Sequence, residues 1–281
     1  MNTTNVWYIT GASKGLGLAL VRKVLARGGR VAATSRSTER LTQAIDWPDK
    51  SQFLPLEVDL TKEHSVKQSL EQTYATFGKL DVVVNNAGYG IGGAVEELSA
   101  AEIQRSFEIN VFAPVRVMQA SLPYLRQQRS GHIINISSIA GFAPATGWSV
   151  YAAAKYALMG LSEVSAQDLE ELGVKVTVVA PGAFRTEFLS DESLVFSKKT
   201  IADYQSMRAS HQKYGAMHGE QRGDPDKAAE VLMALADDPQ APTRLFLGSD
   251  AYERAKIKLE QMHQGLEEHQ QWSFATDYTD S

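Results

Sequence analysis

The chain has 281 residues, 43% of them apolar and 22% charged, with a formal net charge of −5. That composition suits a globular protein with a substantial core, and its mild acidity with interleaved signs argues against a nucleic-acid surface. With no cysteine, disulfides, thiolate metal sites and thiol nucleophiles are excluded.

No apolar run approaches the roughly 20 residues of a membrane span, and residues 1–5 lack a basic segment followed by an apolar one. A cytoplasmic protein without a membrane or nucleic-acid partner is the expectation.

Residues 6–10 (VWYIT) read as a short buried strand running into Gly11-Ala-Ser-Lys-Gly-Leu-Gly17 and then an amphipathic helix ending near residue 27. Strand, glycine turn and helix together form a phosphate-binding context. The glycines allow close backbone approach, and the helix start offers unpaired N–H groups to an anion. Ser13, Lys14 and Leu16 complete that turn, whose Gly-x-x-x-Gly-x-Gly spacing differs from the commoner Gly-x-Gly-x-x-Gly. A second strand, 30–34, ends in Ser35-Arg36-Ser37. An acid at this point would bind a ribose 2′-hydroxyl, whereas an arginine accommodates a 2′-phosphate. Arg36 and Lys14, with no acid before Glu39, favour NADP(H) over NAD.

A helix over 38–45 and a strand over 52–58 follow, closing on Asp59 and Leu60; a helix over 61–77 takes Thr61 as its N-cap. Residues 80–84 form a continuous apolar strand of the kind buried on both faces. It leads into Asn85-Asn86-Ala87-Gly88 and a glycine-rich loop to 93. Residues 99–128 show a helical pattern interrupted at Pro114 and Pro123, with Asn110 one turn before the first. Strand 132–136 leads to Ser137 and Ser138, then to a small and apolar stretch, 139–148. A helix carrying Tyr151 and Lys155 runs to about 172 and stops at Gly173. Strand 174–180 ends in Pro181-Gly182, followed by Phe184, Thr186 and Glu187. Residues 188–218 are a loosely patterned insertion, suited to a lid. Asp224 and Pro225 open another helix, 244–247 is the last strand, and a helix from Ser249 trails into a polar tail, 275–281. Alternating strands and helices specify an α/β fold: one doubly wound, Rossmann-type parallel sheet of about seven strands with helices on both faces. A single domain over 1–281 is expected.

In such a sheet, ligands bind beyond the carboxyl ends of the strands, and the suggestive residues all fall there. Tyr151 and Lys155, one helical turn apart, share a face, and a cation near a phenol favours its ionised form. The pair can therefore give and take a proton. The histidines (64, 132, 211, 218, 263 and 269) show no metal-ligand spacing, so no metal is expected. Ile139, Ala140, Phe142, Trp148 and Phe184 suggest an apolar substrate pocket.

Thr10-Gly-Ala-Ser-Lys-Gly-Leu-Gly17, Asn85-Asn-Ala-Gly88, Ser138 thirteen residues before Tyr151, Tyr151-x-x-x-Lys155, and Pro181-Gly182 with Thr186 recur here in order. Together they resemble the short-chain dehydrogenase/reductase family over residues 6–248. The resemblance implies a catalytic set of Asn110, Ser138, Tyr151 and Lys155, with Lys14 and Arg36 matching NADP-preferring members and Asp59 the adenine-contact position. Ser138 and Tyr151 would hold a small-molecule carbonyl or alcohol, Lys155 would lower the Tyr151 pKa and hold the nicotinamide ribose, and Asn110 would anchor a relay water. The backbone near Phe184 and the Thr186 hydroxyl would fix the carboxamide. Homodimers or homotetramers packed through the helices of Asn110 and Tyr151 are also implied. Two other readings keep the fold: an NADP-binding regulator without turnover, and an NADP-assisted isomerase or dehydratase using Glu187 as an additional acid or base.

Overall fold

The expected alternation forms a seven-stranded, all-parallel sheet in a computed structural model that describes residues 5–190 and 193–278. Residues 1–4, read above for a leader, 191–192 of the insertion and 279–281 of the tail lie outside the described residues. Strand β1 (Val6–Ile9) leads through the glycine turn to helix α1 (Gly15–Ala26). Strand β2 (Arg30–Ser35), helix α2 (Thr38–Ala44), strand β3 (Phe53–Glu57), helix α3 (Glu63–Phe77) and strand β4 (Val82–Asn85) complete the first half.

The strands are largely apolar because both faces of the sheet are covered. Within β1, Trp7 and Ile9 enter one core with α1 and α2, while Val6 and Tyr8 enter the other with α3. Successive side chains point to opposite faces, so one apolar run serves both layers. Helix α3 starts two residues later than expected. Thr61 does not cap it; its hydroxyl and its N–H donate to Asp59 Oδ1 at 2.7 and 2.9 Å. An Asx turn at the strand end has taken the residue that would have capped the helix.

The glycine-rich loop after β4 contains a short strand, β5 (Gly90–Gly92). Helix α4 (Ala100–Phe107) opens with a capping box between Ser99 and Glu102. The helical run is then irregular before Pro114: residues Glu108–Phe112 form a π turn, and α5 (Ala113–Gln128) continues unbroken through Pro123. The wide turn leaves a backbone carbonyl over, and Asn110 Nδ2 supplies the missing donor to Ser106 O at 3.0 Å.

Strand β6 (Gly131–Ile136), helix α6 (Ser149–Glu170) and strand β7 (Val174–Pro181) follow as expected. The insertion is more ordered than its pattern suggested. It holds a 3₁₀ turn (Glu187–Leu189), strand β8 (Leu194–Phe196), which pairs in parallel with β5, and helix α7 (Gln205–Ala216). Asp224 caps α8 (Pro225–Asp237), its carboxylate accepting from Asp226 N and Lys227 N. Strand β9 (Arg244–Leu247), α9 (Ser249–Glu268) and α10 (Gln270–Phe274) end the chain. The sheet order is β3-β2-β1-β4-β6-β7-β9. The chain winds outward from β1 in one direction and then from β4 in the other, so the crevice between those strands opens at their carboxyl ends. Among the described residues, no helix is long and apolar enough to cross a membrane.

Candidate active site

A cleft of about 2040 Å³ runs along the carboxyl ends of the strands. At one end lies the turn between β1 and α1. Gly11 (φ 64°) and Gly15 (φ 59°) adopt the left-handed conformation that glycine tolerates. A side chain on Gly17 would collide with Asn86 Nδ2 and would lie 2.7 Å from Gly11 O. That crowding is functional packing, because Asn86 Nδ2 donates to Thr10 O (2.9 Å) and Gly11 O (3.0 Å), tying β4 to the glycine turn. The Thr10 hydroxyl in turn accepts from Asn86 N and Ala87 N, at 3.0 and 3.1 Å. Helix α1 begins with no side-chain cap and no acid in its first turn. Its N-terminus and the turn thus form a cradle suited to a phosphate.

Ser13, Lys14, Gly15 and Leu16 line this end, as do Gly11, Ser35, Arg36, Asp59 and Leu60. Glu57, in register with Ser35 on the neighbouring strand, lines it too. The Asp59 carboxylate is locked by the two Thr61 donors, which hold its pKa below the ordinary value.

Ala87 and Gly88 border the middle of the cleft, and beyond them lie Ser138, Tyr151 and Lys155. Tyr151 and Lys155 are 7% and 4% exposed. Helix α6 is anchored against β6 at this level: Ser137 Oγ donates to Lys155 O (2.9 Å) and Lys155 Nζ donates to Ile136 O (3.0 Å). The ammonium lies 5.9 Å from the Tyr151 ring centroid. The expected lowering of the phenol pKa by this cation is not what the cofactor-free cleft produces. Burial pushes Tyr151 up to about 12, opposed only by a hydrogen bond with the Ser138 hydroxyl, and burial pushes Lys155 down to about 8. Loss of water outweighs the pair's attraction. Both groups are therefore protonated at neutral pH.

Asn110 and Gly17 do not line the cleft. Asn110 is fully buried behind Gly88: its Oδ1 accepts from Tyr89 N (3.3 Å) and its Nδ2 donates to Tyr89 O (3.1 Å). A Cβ on Gly88 would lie 2.9 Å from Asn110 Oδ1 and 3.2 Å from Lys155 Nζ, so the two side chains share one backbone neighbour. Pro181, Gly182, Phe184 and Thr186 line the far wall, and Thr186 Cβ stands 3.6 Å from where a Gly15 side chain would begin.

Of the residues read as apolar lining, Ile139, Ala140, Trp148 and Phe184 border the cleft. Phe142 does not; it faces away into a small core and packs against Phe246 at 5.0 Å. Pattern reading missed two residues that hold the surroundings of the cleft. Asp250, at the start of α9, accepts from Ala183 N (2.8 Å) and so holds the Gly182–Phe184 loop. Glu97 is enclosed beneath the insertion and accepts from Ala94 N (3.0 Å), Ile201 N (2.6 Å) and Arg208. An acid in a first helical turn hinted at Asp250; nothing local marks Glu97, two of whose partners, Ile201 and Arg208, lie more than a hundred residues away.

The model described as short chain dehydrogenase matches residues 5–194. Oxidoreductase BOA17 of Botryotinia fuckeliana is 37% identical over 254 residues, 90% of this chain and 92% of its own length. The crystal structure of a short-chain dehydrogenase from Streptomyces avermitilis superposes with a TM-score of 0.90 at 35% identity, covering 98% of this chain and 100% of that one. ElxO with NADP bound superposes at 0.75 with 25% identity, covering 89% and 99%. With its glycine turn, parallel sheet and buried Tyr151–Lys155 pair arranged along one cleft, the chain belongs to the short-chain dehydrogenase family of oxidoreductases.

Proposed function

We propose that the protein is an NADP(H)-dependent oxidoreductase that interconverts a carbonyl and an alcohol, with Tyr151 as proton donor and acceptor. The observation that carries this reading is the Ser138–Tyr151–Lys155 group, buried in the same cleft as an uncapped helix N-terminus and its glycine cradle. A phosphate-bearing nicotinamide cofactor fits that cradle, and when bound it supplies or accepts the hydride. Gly11, Ser13, Lys14, Gly15 and Leu16 would hold its pyrophosphate, Asp59, Leu60, Asn86, Ala87 and Gly88 its adenosine side, and Pro181, Gly182, Phe184 and Thr186 its carboxamide.

Ser138 donates to the substrate oxygen and holds it beside the Tyr151 hydroxyl. As the carbonyl carbon gains a hydride, its oxygen takes the Tyr151 proton; oxidation runs the same transfers backwards. Burial favours the neutral phenol, the form required for reduction. Lys155 binds the ribose and, once a charge develops on the Tyr151 oxygen, stabilises it at short range. Asn110 Oδ1 spends one lone pair on Tyr89 N and keeps the other for a relay water toward Lys155. Reduction is the physiological direction expected from a cofactor that circulates mainly as NADPH. Phe112, Tyr156 and Val164, 48%, 42% and 57% exposed, support homodimers or homotetramers packed through α5, α6 and the π turn between α4 and α5. A cytoplasmic location follows from the same reading.

Following NADPH absorbance with a panel of ketones and aldehydes tests the reaction. Tyr151→Phe should slow turnover by about 10²- to 10⁴-fold with cofactor affinity nearly intact, and retained activity would refute the proton assignment. For the cofactor, Arg36 stands just past β2, where an acid would bind a ribose 2′-hydroxyl, and of the two carboxylates at that end Asp59 is already occupied by the Thr61 donors. Arg36→Asp should move the preference toward NAD by at least tenfold, and an unchanged ratio of kcat/KM values would remove the argument.

A further inference from the structure

Helix α9 starts on the body of the protein and ends beyond it. Ala251 and Ala255 are buried in the small core of Phe142, Val178 and Ala180, and Arg254 donates to Ala143 O. From 259 to 278 every residue except Gly265 is exposed, although α9 runs on to 268 and α10 follows. Residues 259–268 therefore extend about 15 Å past the last buried turn. Their apolar side chains are not scattered. Leu259, Met262 and Leu266, 52%, 50% and 66% exposed, continue in steps of three and four the face that Ala251 and Ala255 bury. Among the described residues, the side of the helix that packs on the core at its start faces nothing at its end. So short an amphipathic helix is marginal alone in water and needs packing to persist.

Charge decides what can cover it. The basic residues of α9 (Arg254, Lys256 and Lys258) all precede 259, whereas residues 259–281 hold Glu260, Glu267, Glu268, Asp277 and Asp280 and no lysine or arginine. An anionic bilayer, which draws helices with basic polar faces, is therefore a poor match. The stripe is instead complementary to itself. Lys256, His263 and Glu267, spaced seven and four apart, share one of its flanks. When two copies pack antiparallel with Leu259 against Leu266, Met262 lies beside the two-fold axis and like flanks meet. Each Lys256 then stands within one turn of Glu267 on the other copy. A parallel pair would set lysine against lysine and glutamate against glutamate, which disfavours it.

We propose that residues 259–268 are an interaction surface for a second copy of this chain, the two α9 helices pairing antiparallel through Leu259, Met262 and Leu266. This surface is separate from the α5–α6 face described above, and it does not depend on the reaction assigned to the cleft.

Sedimentation velocity of the full chain reads the association. Leu266→Glu should remove one step of it, tetramer to dimer or dimer to monomer, raising the dissociation constant at least tenfold while thermal unfolding stays a single cooperative step. Lys256→Glu should weaken the association at least threefold, and adding Glu267→Lys to it should restore the wild-type value to within twofold. Orientation is read by cross-linking, since the chain has no cysteine. In a mixture of the Leu259→Cys and Leu266→Cys variants, a short bis-maleimide should join one variant to the other far more than either to itself. A wild type that stays monomeric at every concentration, an association untouched by Leu266→Glu, no rescue by the double charge reversal, or equal cross-linking within each variant would overturn the proposal. So would a monomer that binds phosphatidylcholine–phosphatidylserine vesicles through the same three side chains, an outcome that makes this a membrane face.

Discussion

The glycine-turn end of the cleft and the 188–218 insertion, expected as a lid at its other end, are held by different kinds of contact. At the turn, each fixing bond joins neighbouring strand ends: Asn86 to Thr10 and Gly11, and Ala12 N to Thr34 O at 3.0 Å. The lid is held from a distance. Glu97 gathers Ile201 N and Arg208, and Ser193 O and Gly92 O accept from Gly90 N and Ser197 N, at 2.8 and 2.9 Å. Trp148, Phe196 and His211 add an aromatic cluster. The turn is a rigid consequence of the sheet, whereas the lid depends on a few long-range partners that can be removed one at a time.

The sharpest way to break the rigid end is Gly17→Ala. The added methyl would meet Asn86 Nδ2 and a backbone oxygen, and neither can retreat without loosening the β1–β4 tie. Cofactor affinity should fall by at least a hundredfold, with a destabilisation of about 1–3 kcal/mol, read by NADPH fluorescence titration and thermal melts. Near-normal affinity would show that the turn is softer than its packing implies.

The lid should yield to a milder change. Glu97→Gln keeps the shape but loses the charge facing Arg208 and sets an amide N–H₂ against backbone donors. Substrate KM should rise about tenfold, the equivalent of about 1.4 kcal/mol, with kcat and NADPH affinity little altered. Burial alone would raise this carboxyl, yet Ile201 N, Ala94 N and Arg208 together hold it below its ordinary 4.5. Its folded-state pKa is depressed, so the lid contact is fully present above pH 4.5 and is lost as acid reaches the lower folded value. Proteolysis within the lid should accelerate in that window in the wild type and be fast at all pH values in Glu97→Gln. A lid equally resistant in both would sink the latch.

What could be read from the sequence follows the same division. The sheet, the strand ends and the cleft-lining residues from Gly11 to Thr186 are local patterns: a strand, a turn, the residue just past it. Where local rules competed, the reading slipped. Thr61 could cap a helix or close an Asx turn, and the Asp59 carboxylate two residues earlier decided for the turn. Pro114 and Pro123 suggested breaks, but the irregularity came from a π turn that Asn110 satisfies. Phe142 was one side chain among several small and apolar ones, and which way it pointed was set by Phe246 on a distant strand. The β5–β8 pair and the Glu97 contacts to Ile201 and Arg208 depend on partners far along the chain and have no local signature.

A smaller effect sharpens the comparison from the side of stability. The lid's buried ion is satisfied, but the cation beside Tyr151 is held at a cost to the fold. Burial lowers Lys155 from 10.5 to about 8, so between those values the unfolded chain binds more protons than the folded one, and stability from this group rises with pH. Below pH 8 its contribution is fully unfavourable, on the order of 3 kcal/mol; above 10.5 it vanishes. Tyr151 acts oppositely and later, its contribution lost only as pH rises from 10 toward about 12. Lys155→Met gives up the bond to Ile136 O, worth about 1 kcal/mol, and removes the buried charge. The cofactor-free variant should therefore melt higher than the wild type at pH 7, by a few degrees, while losing activity. That advantage should shrink steadily from pH 8 to pH 10. A pH-independent difference would mean that the ammonium is better solvated than its burial implies, and that the active-site end strains the fold no more than the lid does.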